Sequence, residues 1–506
     1  MDVFLLGAQD AFSLTAIGAV ICGIVLGYLV GVLPGLSRPA ALAIAVPITY
    51  YLSPVSAIAF LVGVTKASTA GGATGAIMLN TPGEPSSAAT CFDGYPLARA
   101  GHATKALKVA LYASVFGDIV ATLVLIALAK PLATFALKMG PMEMTSVMIF
   151  ALTFIAALSG KSLLKGLIAG IFGIFLSTVG LDPESATPRL TFGMIELWDG
   201  VPLVAATVGM LAFTEMLVQG ESYLTRLKTT GKMPELVKPR GSDLSWREIA
   251  RIIPTTIRST GIGVAAGVIP GLGPTIGAFL SYAVAKKSAK PGDRFGKGEI
   301  KGVAATEAAD NAVLPASLIP LFAIGLPGSV SAAILVSAFM IHGVIPGPLI
   351  FEQHPRLMYG IYVSMIIASI CMLLVGRVGL HVFAKIGNVP LTIIIPVVMV
   401  LCMMGSFLEK HILFSVYMMV MLGILGYFMQ RYGYSVVTFL IGFVVGPIFE
   451  LSLRQSIIVS NRQPGLILDH PIAIAFLAMA AIAILVFVRP RQGAVLASGD
   501  DKSPAE

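Results

Sequence analysis

Charge is the scarcest ingredient of this sequence. Only 12% of its 506 residues are Asp, Glu, Lys or Arg, where a soluble domain carries about 25%, and the mean hydropathy is +0.90. A soluble globular protein is thereby excluded and a polytopic membrane protein expected. Cysteine is equally sparse. Cys22, Cys91, Cys371 and Cys402 lie in or beside apolar stretches with no C-x-x-C spacing, so they read as packing residues rather than disulfides or metal ligands. His102, His342, His354, His381, His411 and His470 are scattered and no H-E-x-x-H occurs, which argues against a metal-dependent intramembrane enzyme. A complete G-x-x-x-x-G-K-[ST] loop is also missing. Ser159-Gly160-Lys161-Ser162 mimics its end but lacks the first glycine, and reads as a loop with a positive-inside lysine. The apolar runs do not alternate, which excludes membrane strands of about ten residues. No basic residue precedes the first long apolar block, so no cleaved signal peptide is expected.

What the chain does have is hydrophobic length, with 56% apolar residues. Continuous blocks lie near 12–33, 40–63, 106–128, 141–158, 163–181, 200–219, 357–378, 389–407, 411–430, 434–449 and 471–488, and interrupted ones near 66–91, 259–285 and 304–345. The fold class expected is all-α, with about a dozen transmembrane helices. The net charge of +8 belongs to the loops and not to a nucleic-acid surface. Basic clusters at Arg99 to Lys108, Arg226 to Arg258 and Lys286 to Lys301 are placed in the cytoplasm by the positive-inside rule, with the tail after Arg489. The segment between the last two clusters must then leave and return to one side, as a re-entrant hairpin.

Two stretches repeat each other. Gly31-Val32-Leu33-Pro34-Gly35-Leu36-Ser37 returns as Gly267-Val268-Ile269-Pro270-Gly271-Leu272-Gly273. A second break follows each, at Pro82-Gly83-Glu84-Pro85 and at Pro327-Gly328-Ser329-Val330. A Pro-Gly pair stops a helix and lets the chain turn, and paired interruptions in two halves point to a transporter's binding site. The organisation expected is a first membrane repeat at 1–220, a basic loop at 221–258, a second repeat at 259–488 and a polar tail at 489–506, the repeats being inverted.

Asn80 to Pro85 with Asp93 to Arg99, and Phe295 to Gly298 leading through Glu307-Ala308-Ala309 to Asn311, resemble the large membrane subunit of tripartite tricarboxylate transporters, the TctA-type permeases. Gly180-Leu181-Asp182-Pro183, Leu197-Trp198-Asp199-Gly200, Gly325-Leu326-Pro327-Gly328, His342 to Pro348 and Glu450 to Arg454 extend the resemblance over nearly the whole chain. It implies a bacterial inner-membrane permease that works with a small four-helix membrane subunit and a periplasmic solute-binding protein. It further implies uptake of di- or tricarboxylates on a Na+ or H+ gradient, with no other cofactor and no enzymatic activity. The chain departs from the family pattern at Ser37-Arg38-Pro39, at Ala70-Gly71-Gly72-Ala73, at Pro315-Ala316, at Asp310 in place of a usual Asn, and at Lys66, where an aromatic residue is common.

Half-helix ends offer unpaired amides and a partly positive dipole to an anion, and carbonyls to Na+. The breaks at Pro34, Gly35 and Ser37, at Asn80, Thr81, Pro82 and Gly83, at Pro270 and Gly271, and at Pro327, Gly328 and Ser329 are therefore expected to converge near the bilayer midplane, with Asn311 contributing. Asn80 and Asn311 have a second reading, as a helix cap and a backbone partner. Ser86, Ser87, Ser329 and Ser331 either cap helices or meet ligand. A cation at mid-membrane costs about 2.5 to 3.5 kcal/mol on insertion scales, so Arg38 and Lys66 either hold the two ends of a dicarboxylate, snorkel, or pair with Asp118 or Glu143. Asp310 reads as a proton or cation site or as a partner of Lys301. Glu196, Asp199, Glu215 and Glu450 read as interfacial. The alternatives in function are a carboxylate carrier that works without a binding protein and, remotely, an intramembrane enzyme.

Overall fold

The computed structural model describes residues 2–33, 36–158, 162–229, 243–386, 391–460 and 464–488. It is helical apart from one two-residue hairpin that pairs Gly180–Leu181 with Pro188–Arg189. The first half contains α1 (Asp2–Ala11), α2 (Leu14–Val32), α3 (Arg38–Ala45), α4 (Pro54–Leu79), α5 (Ala88–Leu97), α6 (Ala103–Ala136), α7 (Pro141–Leu158), α8 (Leu163–Ser177), α9 (Leu203–Val208) and α10 (Thr214–Thr229). The second contains α11 (Trp246–Val268), α12 (Gly273–Lys287), α13 (Ile300–Ile324), α14 (Val330–Ile341), α15 (Ile350–Gln353), α16 (Pro355–Ile386), α17 (Leu391–Lys410), α18 (Leu413–Arg431), α19 (Val436–Val459) and α20 (Pro471–Val488). Among the described residues nine helical segments are long and apolar enough to span a membrane, and α7, α8, α14 and α20 are shorter apolar helices. The chain is an all-α polytopic membrane protein. The block expected at 40–63 is divided: α3 passes into a 3-10 turn over Val46–Tyr51, and Ser53 caps a new helix through the Ser56 amide with Pro54 in its first turn.

α4 and α13 are buried almost throughout and form the centre. Small residues let the backbones close in. Along α2, Gly23, Gly27 and Gly31 lie against Phe60, Val64 and Ser68 of α4 in turn, so these two helices run parallel. Gly263 and Gly267 of α11 lie in the same way against Ala309 and Val313 of α13. α16 follows α4, with Val55 beside Gly360 and Lys66 bonded to Ser369. The amino ends of α6, α11 and α13 meet at one face, through Lys105 to Glu248 at 2.6 Å, Arg251 to Asp293 at 2.6 Å and Lys301 to Asp293 at 2.7 Å. Arg377, near the far end of α16, lines one cavity with Lys108 and Asp243 at that face. The α2, α4, α16 set therefore runs toward the basic face, and the α6, α11, α13 set runs away from it.

Described residues of all three basic clusters, Lys105 and Lys108, Arg251 and Arg258, and Lys301, thus share one face. α11 and α12 form a hairpin that returns to it, with Arg258 donating to Ser288 at 2.8 Å beside the Arg251–Asp293 pair. Burial acts to raise the Asp293 carboxyl, but Lys301, the Lys290 amide and Arg251 hold it well below the usual carboxylate range.

The close approach of α2 to α4 yields a prediction. A Cβ on Gly31 would stand 2.2 Å from the Ser68 carbonyl oxygen, and one on Gly267 2.6 Å from the Val313 carbonyl oxygen. Gly31→Ala and Gly267→Ala are each expected to cost about 1 to 3 kcal/mol by overpacking, read as a lower thermal midpoint of the detergent-solubilised protein. Gly18 and Gly261, on the same two helices, have nothing within 4 Å. Alanine at either should leave the midpoint in place.

Candidate functional site

α4 ends at Asn80, which takes the left-handed conformation with φ 53° and closes the helix that precedes it instead of capping the next. α13 ends in the same way at Gly325, φ 76°. Pro-Gly follows each, as Pro82-Gly83 and Pro327-Gly328. Pro34 and Gly35 lie outside the described residues. The described contacts join the breaks two by two. Gly83 packs on the Gly31 carbonyl and on Gly72 of α4. Gly328 packs on the Gly267 carbonyl, donates to Ser317 O at 3.2 Å and accepts from the Gly271 amide, next to Pro270, at 3.3 Å. Ser37 caps α3 through the Ala40 amide, and Ser329 caps α14 through the Ala332 amide while bonding Ser317 Oγ at 3.0 Å. Asn80 is exposed at its tip, whereas the buried Thr81 and Ser87 hydroxyls have no hydrogen-bond partner.

One buried centre forms where the first pair of breaks meets α13. Ser37 fixes the start of α3, and Arg38, its first residue, turns inward. Its Nη2 lies 2.7 Å from Asp310 Oδ1 and 3.0 Å from Glu84 Oε1. One turn back on α13, Glu307 has Thr90 Oγ1 of α5 2.6 Å from Oε1 and Ser114 Oγ of α6 3.1 Å from Oε2. Asn311 Nδ2 donates to Ser114 Oγ at 2.8 Å and to the Glu307 carbonyl at 3.0 Å. Asp310 is not the partner of Lys301, which belongs to Asp293. Asp310 lies in the interior segment of α13, away from its basic end, and Arg38 is the cation within reach.

A second buried centre holds Lys66. Its ammonium donates to Asp118 Oδ2 of α6 at 2.6 Å, and to Met365 O and Ser369 Oγ of α16 at 2.8 and 2.9 Å. An ammonium has three donors, and all are engaged. Neither cation snorkels. Arg38 takes neither Asp118 nor Glu143 as partner, and Glu143 lies 2.6 Å from His470 Nδ1. Lys66 and Asn311 occupy matching places, each fourteen residues before the left-handed end of its helix, at Asn80 and Gly325.

Glu84 and Glu307 were missed as site residues, although both stand inside the motifs that carry the family resemblance. A carboxylate in an apolar stretch that must find a buried partner was the available signal. Glu450 joins Asp182, Arg189 and Arg454 in an ion-pair cluster by the short hairpin. A cavity of about 480 Å³ opens there, lined by Trp198, Asp199, Lys410 and Glu450. Among the described residues no group of three or more His, Cys, Asp or Glu side chains is arranged to hold a metal ion.

The profile of the Tripartite tricarboxylate transporter TctA family matches residues 17–441. A protein of Agrobacterium vitis, described as an uncharacterized 52.8 kDa protein in the TAR-I ttuC' 3' region, is 35% identical over 480 residues, covering 94% of this chain and 94% of its own. A second protein of that organism, described as uncharacterized and in the TAR-II ttuC' 3' region, is 32% identical over 228 residues, or 45% of this chain and 94% of its own. No solved structure matches.

Proposed function

Because the chain belongs to the tripartite tricarboxylate transporter TctA family, and is thus of the kind that forms the large membrane subunit of such a transporter, we propose that it imports di- or tricarboxylates across a bacterial inner membrane. In this reading it acts with a small four-helix membrane subunit and a periplasmic solute-binding protein, and a Na+ or H+ gradient drives it. The two oppositely directed helix sets act as inverted repeats, and the broken helices move their load against a scaffold in an elevator-like step.

The observation that carries this reading is the Arg38 centre. A guanidinium is buried at a helix break, and the two groups that hold it are carboxylates. A substrate carboxylate offers the same acceptor oxygens to the guanidinium and can take the place of one of them. The amides at the first pair of breaks, the Asn80 tip with Thr81, Pro82 and Gly83, and Ser37 complete the proposed site. The second pair, at Pro270, Gly271, Pro327, Gly328 and Ser329, is its counterpart across α13. Lys66 has no donor to spare, so direct contact with substrate is assigned to Arg38.

The test is uptake of labelled di- and tricarboxylates into proteoliposomes that hold this chain and its small partner, with and without binding protein, under separate Na+ and H+ gradients. Uptake that requires both binding protein and one gradient is expected. Uptake without binding protein would favour the self-sufficient carrier, and none under any gradient would overturn the transport reading for carboxylates.

A further inference from the structure

The Arg38 centre is not charge-balanced. Arg38, Glu84, Asp310 and Glu307 are 3%, 7%, 1% and 1% exposed, so two carboxyl groups share one guanidinium away from water and a third stands one turn along α13. Among the described residues the neighbouring elements supply no second cation. Lys66 of α4 is committed to Asp118 of α6. On α5, Asp93 is held by the Gly296, Gly298 and Glu299 amides and by Tyr282 of α12, and Cys91 points its thiol to the Ala76 carbonyl. Two uncompensated buried carboxylates are strongly disfavoured, so the centre must hold a proton or a metal cation.

The hydrogen bonds around Glu307 accommodate a proton. Thr306 Oγ1 lies 3.0 Å from the Val303 carbonyl and 2.9 Å from Thr90 Oγ1, and Thr90 Oγ1 lies 2.6 Å from Glu307 Oε1. With Glu307 ionised, Thr90 donates to it and Thr306 to Thr90. With Glu307 protonated, the carboxyl donates to Thr90, Thr90 to Thr306 and Thr306 to the Val303 carbonyl, so that each hydroxyl both accepts and donates. In either case Ser114 receives from Asn311 and donates to the other carboxyl oxygen. With Glu307 neutral, Glu84 and Asp310 share Arg38 and the centre carries one negative charge. Asp310 Oδ2 has no hydrogen-bond partner, and neither has the buried Ser87 Oγ on the same break as Glu84.

We propose that this centre takes up a proton together with substrate: a substrate carboxylate group displaces Glu84 from Arg38, and the displaced Glu84 carboxylate takes one proton from solution, making H+ the coupling ion. Glu84 is the group displaced because its contacts with Arg38, 3.0 Å from Nη2 and 3.3 Å from Nε, are both longer than that of Asp310, at 2.7 Å. It also sits on the break rather than in a helix. The balance is simple. The substrate carboxylate group that takes the place of Glu84 at Arg38 brings in one negative charge and the proton on Glu84 offsets it, while the other carboxylate groups of a di- or tricarboxylate keep their charge. The scheme rests on the assignment of substrate to Arg38 made above.

The test uses the chain with its small membrane subunit, purified in weakly buffered detergent solution and titrated with citrate or succinate while proton uptake is followed with an indicator. Near pH 7 about one proton is expected per molecule bound, by linkage. Glu84→Gln mimics the protonated state. It should bind with no proton uptake, and in proteoliposomes it should exchange internal for external substrate yet fail to accumulate it under a pH gradient. Should Glu84→Gln misfold, Glu84→Asp, which still titrates, should retain the proton uptake. Binding without proton uptake in the native chain, with accumulation driven by Na+ alone, overturns the proposal while leaving the transport reading intact. Proton uptake that survives Glu84→Gln but disappears in Asp310→Asn overturns the assignment to Glu84. Failure of any carboxylate to bind or cross overturns the transport reading itself.

Discussion

Arg38→Ala is expected to reduce carboxylate uptake by at least about 100-fold, which corresponds to roughly 3 kcal/mol of lost interaction, and to destabilise the folded protein as well. The two effects have one origin. Removing the guanidinium strands Glu84 and Asp310, both buried, and breaking a buried ion pair by deleting one partner costs about 3 to 5 kcal/mol. They separate in a triple variant. Arg38→Ala combined with Glu84→Gln and Asp310→Asn removes the stranded charges, so its thermal midpoint should recover toward that of the native chain. Uptake should not recover, because no cation remains to meet the substrate. Arg38→Lys keeps the charge but loses the planar fork, and should retain partial uptake at a raised KM. Recovery of uptake in the triple variant would show that Arg38 holds the break together and never touches substrate.

Much of this architecture is legible in the chain because membrane physics writes it in coarse letters. Backbone groups must be satisfied inside each segment, so continuous apolar length means helix. The Pro-Gly pairs announce where helices stop, and α2, α4, α11 and α13 all end at them. Charge groups the basic clusters on one side, and their described members do share one face. The weaker readings concern what a side chain touches across the fold. Lys66 and Asp118 are separated by 52 residues, and Arg38 and Asp310 by 272, and no local rule pairs such positions. The Lys66–Asp118 pair was one of several options because α4 and α6 carry a single buried opposite charge each near mid-helix. For Arg38 the choice was hidden by the opposite direction of α4 and α13, which brings an acidic residue of the second half to a break in the first. The second reading of Asn80, as a helix cap, places it at the amino end of the next helix. Its left-handed φ, set by the turn out of α4, makes it a carboxy-terminal one.

Lys66→Met is expected to have the largest effect on stability alone. The ammonium satisfies Asp118, Ser369 and the Met365 carbonyl together, and it ties α4 to both α6 and α16. Methionine fills a similar volume but leaves the Asp118 carboxylate buried with Ser369 as its remaining partner, so the loss should be about 3 to 5 kcal/mol, seen as a fall in thermal midpoint and in yield of folded protein. Pairing it with Asp118→Leu removes the stranded charge as well. Replacing a buried ion pair by apolar residues of similar size is often neutral or stabilising, so the double variant should regain most of the lost midpoint. It should also regain measurable uptake with an unaltered KM, because Lys66 has no donor free for substrate and, with Asp118, adds no net charge to the Arg38 centre. If the double variant folds but its KM for a dicarboxylate rises tenfold or more while that for a monocarboxylate does not, the ammonium must leave Asp118 during transport and hold the second end of the substrate. Lys66 would then belong to the binding site and not to the scaffold.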